Sequence, residues 1–465
     1  MEHTPTIRSK IETELKQRGY SFSSFSKISG INRGTFSAML NSNPPKPISV
    51  RQMDLITQAL GYPEGWLYEL YIEECFYEGK GHWKRIKPFL LRCVELGRQE
   101  FIQKVLSRLT EDLSYVPTIF ELAEELHAAG KEKESVPFYE CVVENERYYH
   151  SERLAISQYR LFSYSLSKDL ENNCQLAIKF APFRKNLPEN HQLDAFLKLA
   201  NVYFQVYDCE TAIQYAKELG VLATNIYQQQ VQARIKNREV KFLNTERHLI
   251  VYYGQAYLMQ GNMLEKQGLY EKAMGFIPFY EDLIDCDWLD ELGMLEARKF
   301  KMWAKANRLN LEILMGDMTR LPAYVELIRK NPQEILHGLL TIMESANNYN
   351  HSIDDILLLF EENINEFRDL RTNISYYHTN YNLMTYSHFF LEISRYYFNK
   401  GSYSEAIDSM LNSLKASSQL NDKAYYIKSI TLLFEKYKDH STHEQRTEYE
   451  KVIKAVECNI KQMTS

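Results

Sequence analysis

The sequence predicts an all-α chain: a small helical head followed by a long array of helix pairs. Three observations carry this. Leu, Ala, Glu, Lys, Gln and Tyr are common, while Gly and Pro number only 18 and 13 among 465 residues, a usage that favours helix over strand. Helix start and stop signals follow one another closely at the N-terminus. Beyond it, one pattern of apolar, small, aromatic and turn residues returns several times. A chain too long for one compact core can build an elongated one from such units.

In the head, helices are expected at 7–18, closed by Gly19, and at 22–29, between Ser21 and Gly30. A third, at 33–41, takes Asn32 as its N-cap. After a loop with Pro44, Pro45 and Pro47, Ser49 caps a fourth that runs to Leu60 and stops at Gly61. Pro63 suits the first turn of a fifth, reaching about Cys75. Gly30 supplies a left-handed turn between two crossed helices. Phe25, Ile28, Ile31, Phe36 and Met39 have the spacing to bury that pair. Asn32, Arg33, Gly34, Ser37 and Ala38 fall on the other face of the third helix, small or polar, as suits a surface entering a DNA groove.

Charge is divided unevenly. Residues 1–61 hold eight Lys or Arg against four acids, a net of +4, within a chain of net −6, so the remainder carries −10. A basic head on an acidic body suits a module that meets a polyanion while its body stays off it.

From about residue 76 the sequence reads as helix after helix. Four stretches align on a turn: Ile119, Leu122, Ala123, Leu126, Gly130, Ser135; Phe196, Leu199, Ala200, Tyr203, Tyr207, Ala212; Tyr257, Gly261, Leu264, Gly268, Tyr270, Ala273; and Phe390, Ile393, Ser394, Tyr397, Gly401, Tyr403, Ala406. A weaker copy turns at Gly316, with Leu321 where Ala is usual. Residues 152–184, with Ala177 at the crossing, and 333–370 are further candidates, and 402–462 add closing helices. The stretch 221–253 reads as an extended helix pair or an insertion. This is the tetratricopeptide spacing, two antiparallel helices with small residues where they cross. It implies a right-handed α-solenoid with a concave binding groove. The expected organisation is a DNA-binding head at 1–75, connecting helices at 76–115, repeats at 116–440 and a capping helix at 441–465.

In such repeats the residue after the small one on the first helix faces the groove. Those positions hold Glu124, Asn201, Asn262, Asn310 and Arg395. An Asn amide offers one acceptor and two donors and can hold an extended peptide backbone. Arg395 suits a peptide carboxylate.

The segment 21–41 resembles the helix-turn-helix of phage repressors and Xre-type regulators, through F-S-K-I-S-G at 25–30, I-N-R-G-T-F-S at 31–37 and I-T-Q-A-L-G-Y at 56–62. Phe22 and Ala38 depart from it, standing where polar residues are frequent. The resemblance implies that the third helix enters the major groove, with Asn32, Arg33, Thr35 and Ser37 towards the bases and Arg33 paired with guanine. Ser21, Ser23, Lys27, Lys46 and Arg51 become phosphate contacts, and a homodimer on paired half-sites of double-stranded DNA is expected. Head and repeats together resemble the peptide-pheromone receptor family (the Rap, Rgg, NprR, PlcR and PrgX group, with arbitrium receptors as a close variant). That resemblance implies a transcription regulator controlled by a short signalling peptide in the groove.

Other classes find less support. No phosphate-binding loop, H-E-x-x-H or G-x-S-x-G is present, so catalysis is not expected, nor is a metal or cofactor. His440 and His443 come nearest to ligand spacing and read as a loop. The seven scattered cysteines form no C-x-x-C pair and read as buried free thiols. No apolar run spans a bilayer and the N-terminus lacks a signal core, so a cytoplasmic location without membrane contact is expected. Two alternatives remain: an adaptor for a protein partner such as a response regulator or anti-repressor, and a phosphatase-like action on a phosphorylated partner.

Overall fold

Helices beginning at Ile7, Phe22, Arg33 and Val50 are stopped and started by the residues that their local chemistry designates. The computed structural model describes residues 6–77, 80–146, 151–167, 169–239, 243–283, 289–368, 380–418 and 424–463. The first helices are α1 (Ile7–Gln17), α2 (Phe22–Ser29), α3 (Arg33–Asn41), α4 (Val50–Ala59) and α5 (Tyr68–Cys75). Ser21 and Ser49 each close a reciprocal capping box, with Ser24 and Gln52 respectively. Asn32 accepts from the backbone N–H groups of Gly34 and Thr35. The fifth helix starts later than Pro63 suggests. Residues 64–67 form turns, with Gly65 at φ +86°, and the helix opens only at Tyr68.

Gly30 ends α2 in the left-handed conformation, φ +71°. Phe25, Ile31, Phe36 and Met39 are buried as expected, but Ile28 is 53% exposed. The inward stripe of α2 runs through Phe22, Phe25 and Ser29. Ile28 lies one residue from Ser29, roughly 100° around the helix, and so faces out.

Further along come α6 (Trp83–Glu95), α7 (Gln99–Leu109), α8 (Val116–Ala128), α9 (Glu132–Asn145), α10 (Glu152–Ser165) and α11 (Leu170–Phe180). Helix does not run unbroken from residue 76. Phe76–Tyr77 and Lys80–Gly81 make a two-rung antiparallel ladder. The chain divides into two compact units, Met1–Leu166 with Lys179–Pro188, and Ser167–Ile178 with Glu189–Ser465. In the first, one continuous core joins Ile7 to Val142, with no break at residue 75. Tyr68 and Tyr71 both pack on Phe89, ring centroids 5.1 Å apart. Arg92 reaches Asp54 at 2.9 Å and Glu64 at 3.1 Å, and Arg108 reaches Glu73 at 2.8 Å. The head is therefore anchored on α6 and α7.

The second unit holds α12 (Glu189–Gln205), α13 (Cys209–Ile235), α14 (Leu249–Lys266), α15 (Tyr270–Met274), α16 (Pro278–Glu281), α17 (Glu291–Leu314), α18 (Leu321–Lys330), α19 (Ile335–Tyr349), α20 (Asp354–Leu359), α21 (Glu361–Arg368), α22 (Asn380–Asn399), α23 (Tyr403–Ser418), α24 (Ala424–Tyr437) and α25 (His443–Met463). The stretch 221–253 contains the second half of the long α13 and the start of α14. Packing is between near neighbours: α12 with α13 and α14, α14 with α17, α17 with α19, α19 with α22, and α22 with α23. The small residues of the aligned sets, Ala123, Ser135, Ala200, Ala212, Gly261, Ala273, Ser394 and Ala406, are all buried. Their turns at Gly130, Tyr207, Gly268, Gly316 and Gly401 all have positive φ, from 57° to 90°. Four are glycines; Tyr207 adopts the same conformation against its side chain.

Close helix approach depends on absent side chains. A Cβ on Gly254 of α14 would stand 2.5 Å from the buried Phe300 ring of α17. One on Gly338 of α19 would stand 2.5 Å from Ile328 Cγ2 of α18. At the α22–α23 crossing, Ser387 bonds Ser413 and Ser417 at 3.1 and 2.6 Å. Among the described residues no helix is long and apolar enough to cross a membrane. Gly254→Ala is expected to destabilise the chain by about 1–3 kcal/mol through overpacking, read as a lower denaturation midpoint. Gly97→Ala, with open space around its Cβ position, should lose only about 1 kcal/mol, from its positive φ alone.

Candidate functional site

The basic residues of the head fall into two groups. Arg8 bonds Glu74 and the Met39 carbonyl, and Arg18 bonds the Leu60 carbonyl while lying over the Tyr62 ring. These hold the fold together. Lys27, Arg33, Lys46 and Arg51 are exposed, and none forms an ion pair among the described residues. Between Glu14 and Asp54 the sequence contains no acid at all. The segment from α2 to the start of α4 is thus an uncompensated positive surface.

Ser21, Ser23, Asn32 and Arg33 are exposed, and Thr35 and Ser37 are half-buried. Asn32 Oδ1 is engaged as cap acceptor at 2.8 Å from the Gly34 nitrogen, which leaves the side chain its amide N–H groups, able only to donate. Phe22 packs edge-on against Phe36, centroids 5.5 Å apart. The aromatic that stands in a frequently polar position therefore serves the core.

The groove candidates are less uniform. Glu124, in the first unit, accepts from Tyr139 and pairs with Arg160 at 3.2 Å, so its charge is already compensated. In the second unit, Asn201 is exposed and Asn262 half-buried, and neither side chain has a hydrogen-bond partner among the described residues. Asn310 Oδ1 accepts from Tyr324 at 2.8 Å and Thr341 at 2.6 Å. Arg395 is exposed and pairs with Glu392 at 2.8 Å.

A cavity of about 610 Å³ lies in the second unit. One face of α19 contributes His337, Leu340, Glu344 and Asn348; one face of α22 contributes Thr385, His388, Glu392 and Arg395. Glu265 and Lys266 come from the end of α14, Tyr270 from the start of α15, and Tyr207 from the turn before α13. Arg395 is the one sequence candidate on its wall. Asn262 stands one turn before Glu265 and Lys266 on α14, and the Asn310 side chain lies near the Glu265 carboxyl. The helical spacing of polar residues at 337, 344 and 348, and at 385, 388, 392 and 395, was the available signal; looking only beside the small crossing residue misses it.

Charge in the cavity is unevenly satisfied. Burial would raise the Glu392 carboxyl, but His388, Arg395 and Asn347 outweigh it and hold it low. Asn347 donates to Glu392 at 2.7 Å. Burial pushes Glu344 up, against His388 and Lys266, with Glu392 and Glu265 adding to the rise. Glu265 is likewise raised by burial, opposed by Lys266 and the Asn310 side chain. Burial, with Lys266 nearby, lowers the His337 imidazole to about 4.

Among the described residues no group of His, Cys, Asp and Glu could hold a metal ion. Cys75, Cys93 and Cys141 are buried free thiols pushed up to about 12 by burial. Cys174 and Cys209, expected to be buried, are only half-buried. Cys286 lies outside the described residues. No protein-family model matches the chain, and no curated protein matches it.

His337 gives a pH dependence of known sign. Its folded pKa lies below the ordinary value of about 6.5, so its neutral form contributes stability above that pH, and the contribution is lost as pH falls towards 4. Between pH 7 and 4.5, wild-type protein should lose more thermal stability than His337→Asn. Equal losses would mean the ring is freely solvated.

Proposed function

We propose that the chain is a sequence-specific DNA-binding transcription regulator whose second unit binds a short peptide. The observation that carries the first half is the set of exposed, unpaired cations on an acid-free helix-turn-helix segment. Cations left without internal partners remain able to displace counterions from a phosphate backbone. Arg33, at the start of α3, is the long donor available for a guanine edge. Asn32, Thr35 and Ser37 supply shorter polar contacts, and Ser21, Ser23, Lys27, Lys46 and Arg51 the backbone contacts. The head acts as a homodimer on paired half-sites, in keeping with the helix-turn-helix mode.

The peptide half of the proposal rests on the row of successive first helices α12, α14, α17, α19 and α22, read as a right-handed tetratricopeptide-like solenoid. Asn201 and Asn262 offer free amides, and Arg395 a guanidinium at the cavity wall. An adaptor for a protein partner is the second reading. It is favoured by Leu292, Leu295 and Met302, which are 50–56% exposed along one side of α17.

Selection of DNA from random sequence by the full chain, followed by anisotropy titration, tests the first half. Arg33→Ala should cost about 1–3 kcal/mol on the selected site and relax preference at one base pair. Replacing Lys27, Lys46 and Arg51 by Ala should weaken all sequences alike and flatten the salt dependence by roughly one slope unit per contact. No enriched site would sink the regulator reading. For the second half, Asn201→Ala and Asn262→Ala should reduce peptide binding while basal DNA affinity stays unchanged. Normal peptide response in both variants would remove these two residues from the groove.

A further inference from the structure

We infer that the cavity of the second unit is a subsite for a cationic group. A ligand's guanidinium or primary amine seats against Glu265 and Glu344, and its carbonyl or carboxylate oxygen meets Lys266. This deepens the reading of the second unit as a peptide-binding array and rests on it.

The cavity volume of about 610 Å³ falls within the range of small-ligand sites. Its lining is built for charge. Three carboxylates, Glu265, Glu344 and Glu392, face it together with Lys266 and Arg395. Arg395 is committed to Glu392 at 2.8 Å, and Asn347 holds the other Glu392 oxygen. That pair is closed on itself. Among the described residues, the ion-pair neighbour of Glu344 is His388, at 3.5 Å, which Glu392 shares at 3.7 Å. Glu265 has the Asn310 side chain nearby but no ion pair among the described residues. Lys266 is exposed and likewise without an ion pair among the described residues.

Occupants of other chemistry fit badly. An anion would approach three carboxylates. An apolar group would strip water from Glu265 and Glu344 and give nothing back, a loss of several kcal/mol per buried charge in general. A guanidinium supplies charge and paired donors to carboxylate oxygens, and the Tyr207 and Tyr270 side chains in the wall add faces that favour a cation. Tyr207 holds a left-handed backbone, φ +57°, at a turn where four counterparts are glycine. The same residue lines the cavity.

The test uses the full chain and two probes, the tripeptide Arg-Gly-Ala and its neutral isostere citrulline-Gly-Ala, titrated by calorimetry or by NMR. The arginine probe should bind at least tenfold more tightly than the citrulline probe. Glu344→Gln and, separately, Glu265→Gln should each reduce that preference severalfold, with DNA affinity measured without probe unchanged. Either substitution keeps side-chain size and removes a half-buried charge, and the wild-type comparison stands even if one variant misfolds. Equal affinity for the two probes, or no saturable binding of the arginine probe, would overturn the inference. Loss of the regulator reading has a separate signature, the absence of selected DNA sites, which leaves the probe result untouched.

Discussion

In the second unit the helices bury their apolar faces against several neighbours, α14 against α12, α13 and α17 and α22 against α19 and α23, and the packing follows from how closely those neighbours approach. Approach is governed by what is missing from the side chains. Gly254 lets the Phe300 ring lie against the α14 backbone, Gly338 admits Ile328, and serine hydroxyls at 387, 413 and 417 replace bulk with hydrogen bonds. Because each first helix packs on the next, polar residues on their shared exposed face converge. The cavity between α14, α19 and α22 is a product of that stacking, not of any local motif.

The head obeys a different constraint. Its cations are sorted by whether an acceptor lies within reach. Arg8 and Arg18 are consumed by Glu74, Glu14 and backbone carbonyls, while Lys27, Arg33, Lys46 and Arg51 find no acid in the stretch between Glu14 and Asp54. The same economy governs the surroundings of Asp54, which is held by Arg92 and Tyr68. Acids at the rear of the head bind it to α6 and α7, and the front keeps its positive field. Exposed ion pairs contribute little each, so the rear contact rests mainly on the shared apolar core through Tyr68, Tyr71 and Phe89.

Both candidate sites depend on charges left incompletely satisfied. In the head the imbalance is positive and exposed; in the cavity it is negative and partly desolvated, so Glu265 and Glu344 are raised by burial while Glu392, given His388, Arg395 and Asn347, is held low. Three carboxylates of one type thus differ because their neighbours differ.

Much of this was legible in the residues alone. Ser21, Asn32 and Ser49 mark helix starts because their side chains satisfy backbone donors within three residues, and Gly30 marks a turn because its φ is positive. These are local interactions, and sequence order determines them. The all-helical class and the buried small residues at 123, 200, 261 and 394 followed from periodicity for the same reason. Tertiary structure alone decided the exposure of Ile28, the use of Phe22 against Phe36, the compensation of Glu124 by Arg160, and the grouping of Glu265, Glu344 and Glu392 around one cavity. Each of these depends on which side of a helix meets a partner distant in sequence. Local propensity carries no information about that partner's charge or shape.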